Sequence, residues 1–413
     1  MRSGIRWFLF AIGVLMGASL LAQADVIGWL SAEPTQWQVA KAENLWLEGE
    51  RSEAIAHLRK SLEGKQGNLP NLSLLASWGL RNDDFEVVHW ACDQAESQIN
   101  FASQPMLAYA FAQQRSFAFF RQREAEKALN CWAPFVDVEP LASTPQFLNG
   151  YAYIRSLVGL ELDEAAVQSD RALESFGWTD VDIHHRLGLA HEDAGRPQEA
   201  LVEYDKAQQA LEPQLKRFQS EFERSVGTIV LEESLKDPQV KNELRALREK
   251  RDNIQQRWAM LLAHRVSALE LLGQSDEAKE LGTEVERLGF DLESLQDLRF
   301  TDADLLGFAA QLDTRGWIRF RSGEFEQAVE DLTQAVQCGE AGFELQKELY
   351  RETMKKIVHS EAIEDEWSQQ RQSLAVMYDH LAQALYEVGR TDEAADMEKK
   401  VTDMGFEAGP HLY

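Results

Sequence analysis

The stretch Asp182–Pro213 reads DIHHRLGLAHEDAGRPQEALVEYDKAQQALEP, and its spacing decides the fold. His184, Leu187, Gly188 and His191 recur at the three- and four-residue intervals that place residues on one face of a helix. Gly188 has almost no side chain, so a neighbouring helix can approach closely there. Gly195 falls where the chain must turn. Ala200 and Ala207 keep a second helix thin enough to nest against the first, with Tyr204 between them, and Pro213 suits the start of another helix. A helical hairpin of this size cannot bury its own apolar face, so it has to stack on others.

The pattern recurs along the chain. At 309–342 it shows Leu312, Gly316, Gly323, Ala328, Leu332 and Ala335; at 259–292, Leu262, Gly273 and Ala278; at 375–408, Tyr378, Leu381, Ala382, Leu385, Gly389 and Ala394. Ala42, Leu45, Gly49, Ala54 and Leu58 keep the same frame. More degenerate copies cover 146–178 (Ala165, Ala172), 106–134 (Ala125, Ala128, Pro134) and 68–100. Copies are also paired. Gly188, Gly195, Ala200 and Ala207 recur 128 residues later as Gly316, Gly323, Ala328 and Ala335, while Gly273 and Ala278 recur 116 residues later as Gly389 and Ala394. The regions 181–292 and 309–408 therefore read as one duplicated unit of motif, insertion and motif. On this frame Gly316 sits at a helix contact and Gly339 near a repeat end.

Both insertions carry helical stripes. In the first (213–258), Leu215, Phe218, Phe222, Val226 and Ile229 form one stripe. Asp237 caps the next helix, Pro238 opens it, and Val240, Leu244, Leu247, Ile254 and Trp258 form the facing stripe. The second (341–374) repeats this with Phe343, Leu345, Leu349 and Ile357, then Ile363, Trp367 and Leu374. The expected segments are 1–24 as a signal peptide, 25–178 as degenerate repeats, 179–292 as a repeat unit with a long insertion, 293–308 as a linker, and 309–413 as a second unit with the shorter insertion.

On these residues the chain resembles tetratricopeptide-repeat proteins of an exported bacterial type, with the best match at 181–214. The resemblance implies an all-α, right-handed solenoid of helical hairpins whose first helices line a groove for a peptide or a partner's helix. Members that grip a carboxyl terminus use Lys and Asn on that face. The corresponding positions here are His185, Leu189 and Glu192, then Asp313, Trp317 and Phe320, then Asp379, Gln383 and Tyr386, so no such clamp is expected. Trp317, Phe320, Arg321 and Tyr386, with Asp313, Asp379 and Gln383, are the candidate partner-binding residues, because aromatics and Arg are the usual anchors of protein contacts.

Composition narrows the setting. The segment Met1–Ala24 has a basic start, an apolar run from Trp7 to Ala22 and a small-x-small end, which predicts an exported protein cleaved after Ala24, periplasmic or secreted. Its removal takes away Arg2 and Arg6 and no acid, so the formal charge of −27 becomes −29. Such acidity repels nucleic acid. No later segment is apolar enough to span a bilayer. Cys92, Cys131 and Cys338 match no zinc or redox spacing. His184 and His191 occupy large-residue positions of the repeat, so packing accounts for them better than metal binding. Asp83-Asp84 and Asp180/Asp182 read as turn and cap residues. There is no phosphate loop, nucleophile elbow or dinucleotide fingerprint. We therefore expect no catalytic residue, no cofactor and no metal. The expected work is a scaffold that binds a peptide or helix of a cell-envelope protein. The alternative is a structural component that self-associates through its helical arms.

Overall fold

The computed structural model describes residues 33–65, 68–229, 238–298, 303–354 and 361–409. The expected signal segment with its cleavage site, the Asp237 cap and Ile357 lie outside the described residues. Among the described residues the regular elements are all helical, and they come in antiparallel pairs. The pairs are α1 (Glu33–Leu47) with α2 (Arg51–Leu62), α3 (Leu69–Arg81) with α4 (Phe85–Glu96), α5 (Pro105–Arg121) with α6 (Ala125–Asn130), and α7 (Pro145–Val158) with α8 (Leu162–Glu174). Then follow α9 (Asp180–Asp193) with α10 (Pro197–Ile229), α11 (Pro238–Leu271) with α12 (Ser275–Arg287), a short α13 (Leu292–Gln296), α14 (Ala303–Arg321) with α15 (Phe325–Met354), and α16 (Glu361–Glu387) with α17 (Thr391–Asp403).

One register runs through these hairpins. Each first helix ends at a residue in the left-handed region: Gly49, Asp83, Arg123, Gly159, Gly195, Gly273, Gly323 and Gly389, with φ between 55° and 86°. Seven residues before that turn stand Ala42, Ala76, Ser116, Ala152, Gly188, Val266, Gly316 and Ala382, all buried. Just after the turn stand Ala54, Val88, Ala128, Ala165, Ala200, Ala278, Ala328 and Ala394, each at most 3% exposed. The physical cause is the helix crossing. A Cβ on Gly188 would run into the Tyr204 ring, and one on Gly316 would lie 2.6 Å from Leu332 Cγ. Larger side chains beside these small ones then fill the core. Leu58, Leu72, Leu187 and Tyr204 are at most 2% exposed, each worth about 1.5–3 kcal/mol of apolar transfer.

Some helix starts follow the expected capping chemistry. Asp84 accepts a hydrogen bond from Val87 N at 3.2 Å. Thr179 and Asp182 form a reciprocal capping box at the start of α9.

The chain forms two compact units. One comprises 1–176, 306–339 and 354–413; the other comprises 177–305 and 340–353. This division cuts across segments drawn from the repeats alone. In the first unit it is α14 that docks on α7: Ile318 packs with Ala152 and Ala165, and Arg321 Nη1 donates to Ser156 O and Leu157 O at 2.9 and 3.1 Å. Arg121 does the same for α5 on α3, with Nη1 donating to Leu80 O at 2.7 Å. An arginine at the end of a first helix thus donates to last-turn carbonyls of the helix it stacks on.

The long insertions are extensions of repeat helices. α10 has 33 residues and α11 has 34, each about 50 Å long, and the two pack together. Pro213 does not open a new helix, as its position suggested, but lies inside α10. Gly339 is also not near an end. It lies within α15, where a Cβ would come 2.9 Å from Met377 Sδ and 3.2 Å from Leu374 Cδ1 of α16. Within 293–308, Leu295 of α13 is buried and α14 already begins at Ala303. The three cysteines are unbridged, and burial raises the Cys92 thiol to about 12. No helix of the described residues is long and apolar enough to cross a membrane.

Candidate functional site

Four first helices of the first unit converge on one recess. In α7, Thr144 caps the helix, accepting from Phe147 N at 3.3 Å, and Pro145 opens it. The helix then presents Gln146, Asn149, Gly150 and Tyr153 on a single face. Gly150 is needed because Trp132 lies behind it: a Cβ there would be 2.8 Å from Trp132 Cη2. α5 adds Gln113 and Phe117, α14 adds Gln311, Asp313 and Thr314, and α16 adds Gln370, Ser373 and Met377. Gly339 of α15 lets α16 approach closely enough to close one wall. The recess has a volume of about 290 Å³, the lower end of the range for ligand sites, which is about 300–1,000 Å³.

The lining is unusually rich in side-chain amides, and among the described residues Asp313 is its sole carboxylate. Asp313 is 5% exposed, and both its oxygens accept from His380 Nδ1, at 2.9 and 3.0 Å. A carboxylate only accepts, so Nδ1 of the imidazole carries the proton in that contact. The His380 ring stacks on Trp317 with centroids 4.0 Å apart, and Trp317 stacks on Phe320 at 4.7 Å. Tyr153 meets His380 edge-on and leans on Phe117. Burial of its hydroxyl raises the Tyr153 phenol well above its usual value, and the Asp313 and Asp379 carboxylates add to this. Gln311 is 4% exposed, and its Oε1 finds no hydrogen-bond donor among the described residues; the same is true of Asn149 Oδ1 and Gln370 Oε1.

The residues singled out from sequence divide on inspection. Asp313 lines the cavity. Trp317 is 5% exposed and belongs to the aromatic core with Tyr109, Trp132 and Tyr151; Phe320 packs on the same core. Arg321 is engaged with the α7 carbonyls. Asp379 is buried and accepts from Gln383 Nε2 at 2.7 Å and Gly409 N at 2.9 Å. Tyr386 is 41% exposed, with its hydroxyl donating to Glu398 Oε2. In the other unit, His185, Leu189 and Glu192 are buried. His185 Nε2 lies 2.6 Å from His264 Nδ1, and Glu192 accepts from Tyr204. His184, assigned to packing, is half-buried and bonds Glu203 Oε2 at 2.7 Å.

Sequence reasoning passed over Gln113, Gln146, Asn149, Gln311 and Gln370. A signal was present: Gln146, Asn149 and Tyr153 share a face of α7, and Gln311 interrupts an apolar run between Ala310 and Leu312. Among the described residues, no group of three or more His, Cys, Asp or Glu side chains is placed to hold a metal ion.

No family model and no curated protein matches the chain. Among solved structures, yeast Tom70 is 12% identical, with a TM-score of 0.24 over 90% of this chain and 76% of that one. A Rap protein complexed with competence and sporulation factor is 13% identical, with a TM-score of 0.22 over 90% and 98%. The human IFIT1 dimer with PPP-AAAA is 14% identical, with a TM-score of 0.15 over 94% and 93%. The reading of stacked tetratricopeptide-like hairpins rests on the register described above rather than on these scores.

Proposed function

We propose that the protein is a non-enzymatic scaffold that holds a segment of a partner protein on the first-helix face of its first unit. One observation carries this reading. α5, α7, α14 and α16 all turn polar amide side chains into a shared recess, where a stack built only for stability would place aliphatic ones. Amides offer paired donors and acceptors that match a polypeptide. The tripartite pattern of Met1–Ala24 supports a partner outside the cytoplasm. Amino-terminal sequencing of exported material tests that part; a protein still carrying Trp7 removes it.

The binding reading is tested with a displayed random-peptide library selected on the full chain. Enriched peptides are expected to lose binding to Asn149→Trp, which fills the recess, and to keep it for Val202→Trp, a residue 49% exposed on α10. Circular dichroism melts confirm that both variants fold. Failure to enrich any peptide, or equal binding by both variants, overturns the reading.

A further inference from the structure

The chemistry of the recess narrows what enters it. Among the described residues, Asp313 is the sole formally charged one in the lining, and no Lys, Arg or His lines it. His380 occupies one direction around each Asp313 oxygen, and a carboxylate oxygen has further lone pairs to offer. Around it, Gln311 Oε1, Asn149 Oδ1 and Gln370 Oε1 are buried acceptors with no donor among the described residues. Gln311 is 4% exposed, so its amide lies deep in the fold. Phe117 and Tyr153 supply aromatic walls. A neutral donor would answer the amides but bring no charge to Asp313 beyond the contact that His380 already makes. An anion would meet a carboxylate and be repelled. A cation with several N–H donors answers all of these groups at once, and aromatic faces attract cations as well.

We propose that the recess is a specificity pocket for one basic side chain, Arg or Lys, of the bound partner segment, with Asp313 as its counter-ion. The volume of about 290 Å³ suits a single long side chain with adjacent backbone rather than a folded element. The inference rests on the scaffold reading above and specifies its ligand.

The test starts from peptides selected on the full chain. These are expected to share a basic residue. Synthetic versions carry Arg, Lys, citrulline or norleucine at that position and are titrated by calorimetry. Citrulline keeps the shape of Arg without the charge, and norleucine keeps the stem of Lys. Each neutral peptide is expected to bind about tenfold more weakly than its charged parent, the scale of a charged hydrogen bond. Comparison of the Arg and Lys peptides shows which cation the pocket takes. Asp313→Asn, nearly isosteric and still able to accept from His380, is expected to remove that preference while binding citrulline peptide within about twofold of the native chain. Gln311→Leu provides a second variant should Asp313→Asn melt early. Equal affinity for charged and neutral peptides in the native chain overturns the inference. If Asn149→Trp still blocks those same peptides, the scaffold reading survives without it. If no peptide is enriched at all, both fall together.

Discussion

The hairpins α3–α4 and α5–α6 turn on Asp83 and Arg123, whereas α9–α10 and α14–α15 turn on Gly195 and Gly323, yet the backbone does the same thing in each. All four turn residues are left-handed, with φ from 55° to 82°. Glycine adopts this region without cost, whereas other residues pay about 1–2 kcal/mol there. The amino-terminal hairpins hold the conformation by other means. Arg121 Nη2 pairs with Asp83 at 2.8 Å while Nη1 engages Leu80 O. The difference teaches that the repeat signature records the least strained way to build a turn. Tertiary contacts can impose the same geometry on a sequence that lacks it.

The largest test of this equivalence is steric. Gly316→Leu is expected to destabilise by about 3 kcal/mol or more, because the crossing with Leu332 has no room for added atoms. Ala76→Leu, at the same register in a hairpin without the glycine signature, is expected to cost about as much. Urea unfolding compares them, and a tolerated Ala76→Leu would break the common frame. Gly339→Leu belongs with the large effects too, since α16 lies against it.

Next come the arginine caps. Arg321→Ala and Arg121→Ala are each expected to cost about 1.5–3 kcal/mol, the worth of hydrogen bonds from a charged group. If only Arg121→Ala matters, α14 does not rely on α7 as α5 relies on α3.

A third contrast lies eight residues past the turn, where Glu203 and Asp331 are both buried. Asp331 is held by Arg315 and Arg319 at 2.7 Å. At Glu203, burial pushes the carboxyl upward, but hydrogen bonds from His184 and Lys206 outweigh it and leave the group below its usual value. A lowered folded value means that this stabilisation is complete above the unfolded value of about 4.3 and is lost as pH falls through the folded value. Glu203→Gln is expected to flatten that acid limb in melts recorded from neutral to acidic pH. An unchanged limb would show that the pair contributes nothing.

The smallest effect runs the other way. Arg123→Gly is expected to stabilise by about 0.4–1 kcal/mol through relief of the left-handed strain. Asp83→Gly should gain less, because it forfeits the pair with Arg121. Thermal melts of the two variants sharpen the ranking.

Much of this was legible in the residues. Gly188, Gly195, Ala200 and Ala207 announce their hairpin because each is the cheapest solution at its position, and the offset of 128 residues carries the announcement to Gly316 and Gly323. The hairpin around Asp83 was faint because Val88 stands where others have Ala. Trp317, Phe320, Arg321 and Tyr386 read as anchors because aromatics and Arg are the usual ones at protein contacts. Trp317 and Arg321 turned out to serve the packing of α14 on α7, since a large side chain on a first helix can face either a ligand or the next helix with the same periodicity.

The sequence by itself determined the helical hairpins, their turns and their small-residue crossings, because these depend on contacts within a few tens of residues. Only the tertiary structure decided that α14 docks on α7 across 144 intervening residues, and that Gln113, Asn149, Gln311, Asp313 and Gln370 meet around one cavity. The physical reason is that stacking surfaces of successive hairpins resemble one another. Local pattern shows that a face must be covered, and the choice of partner is left to long-range fit.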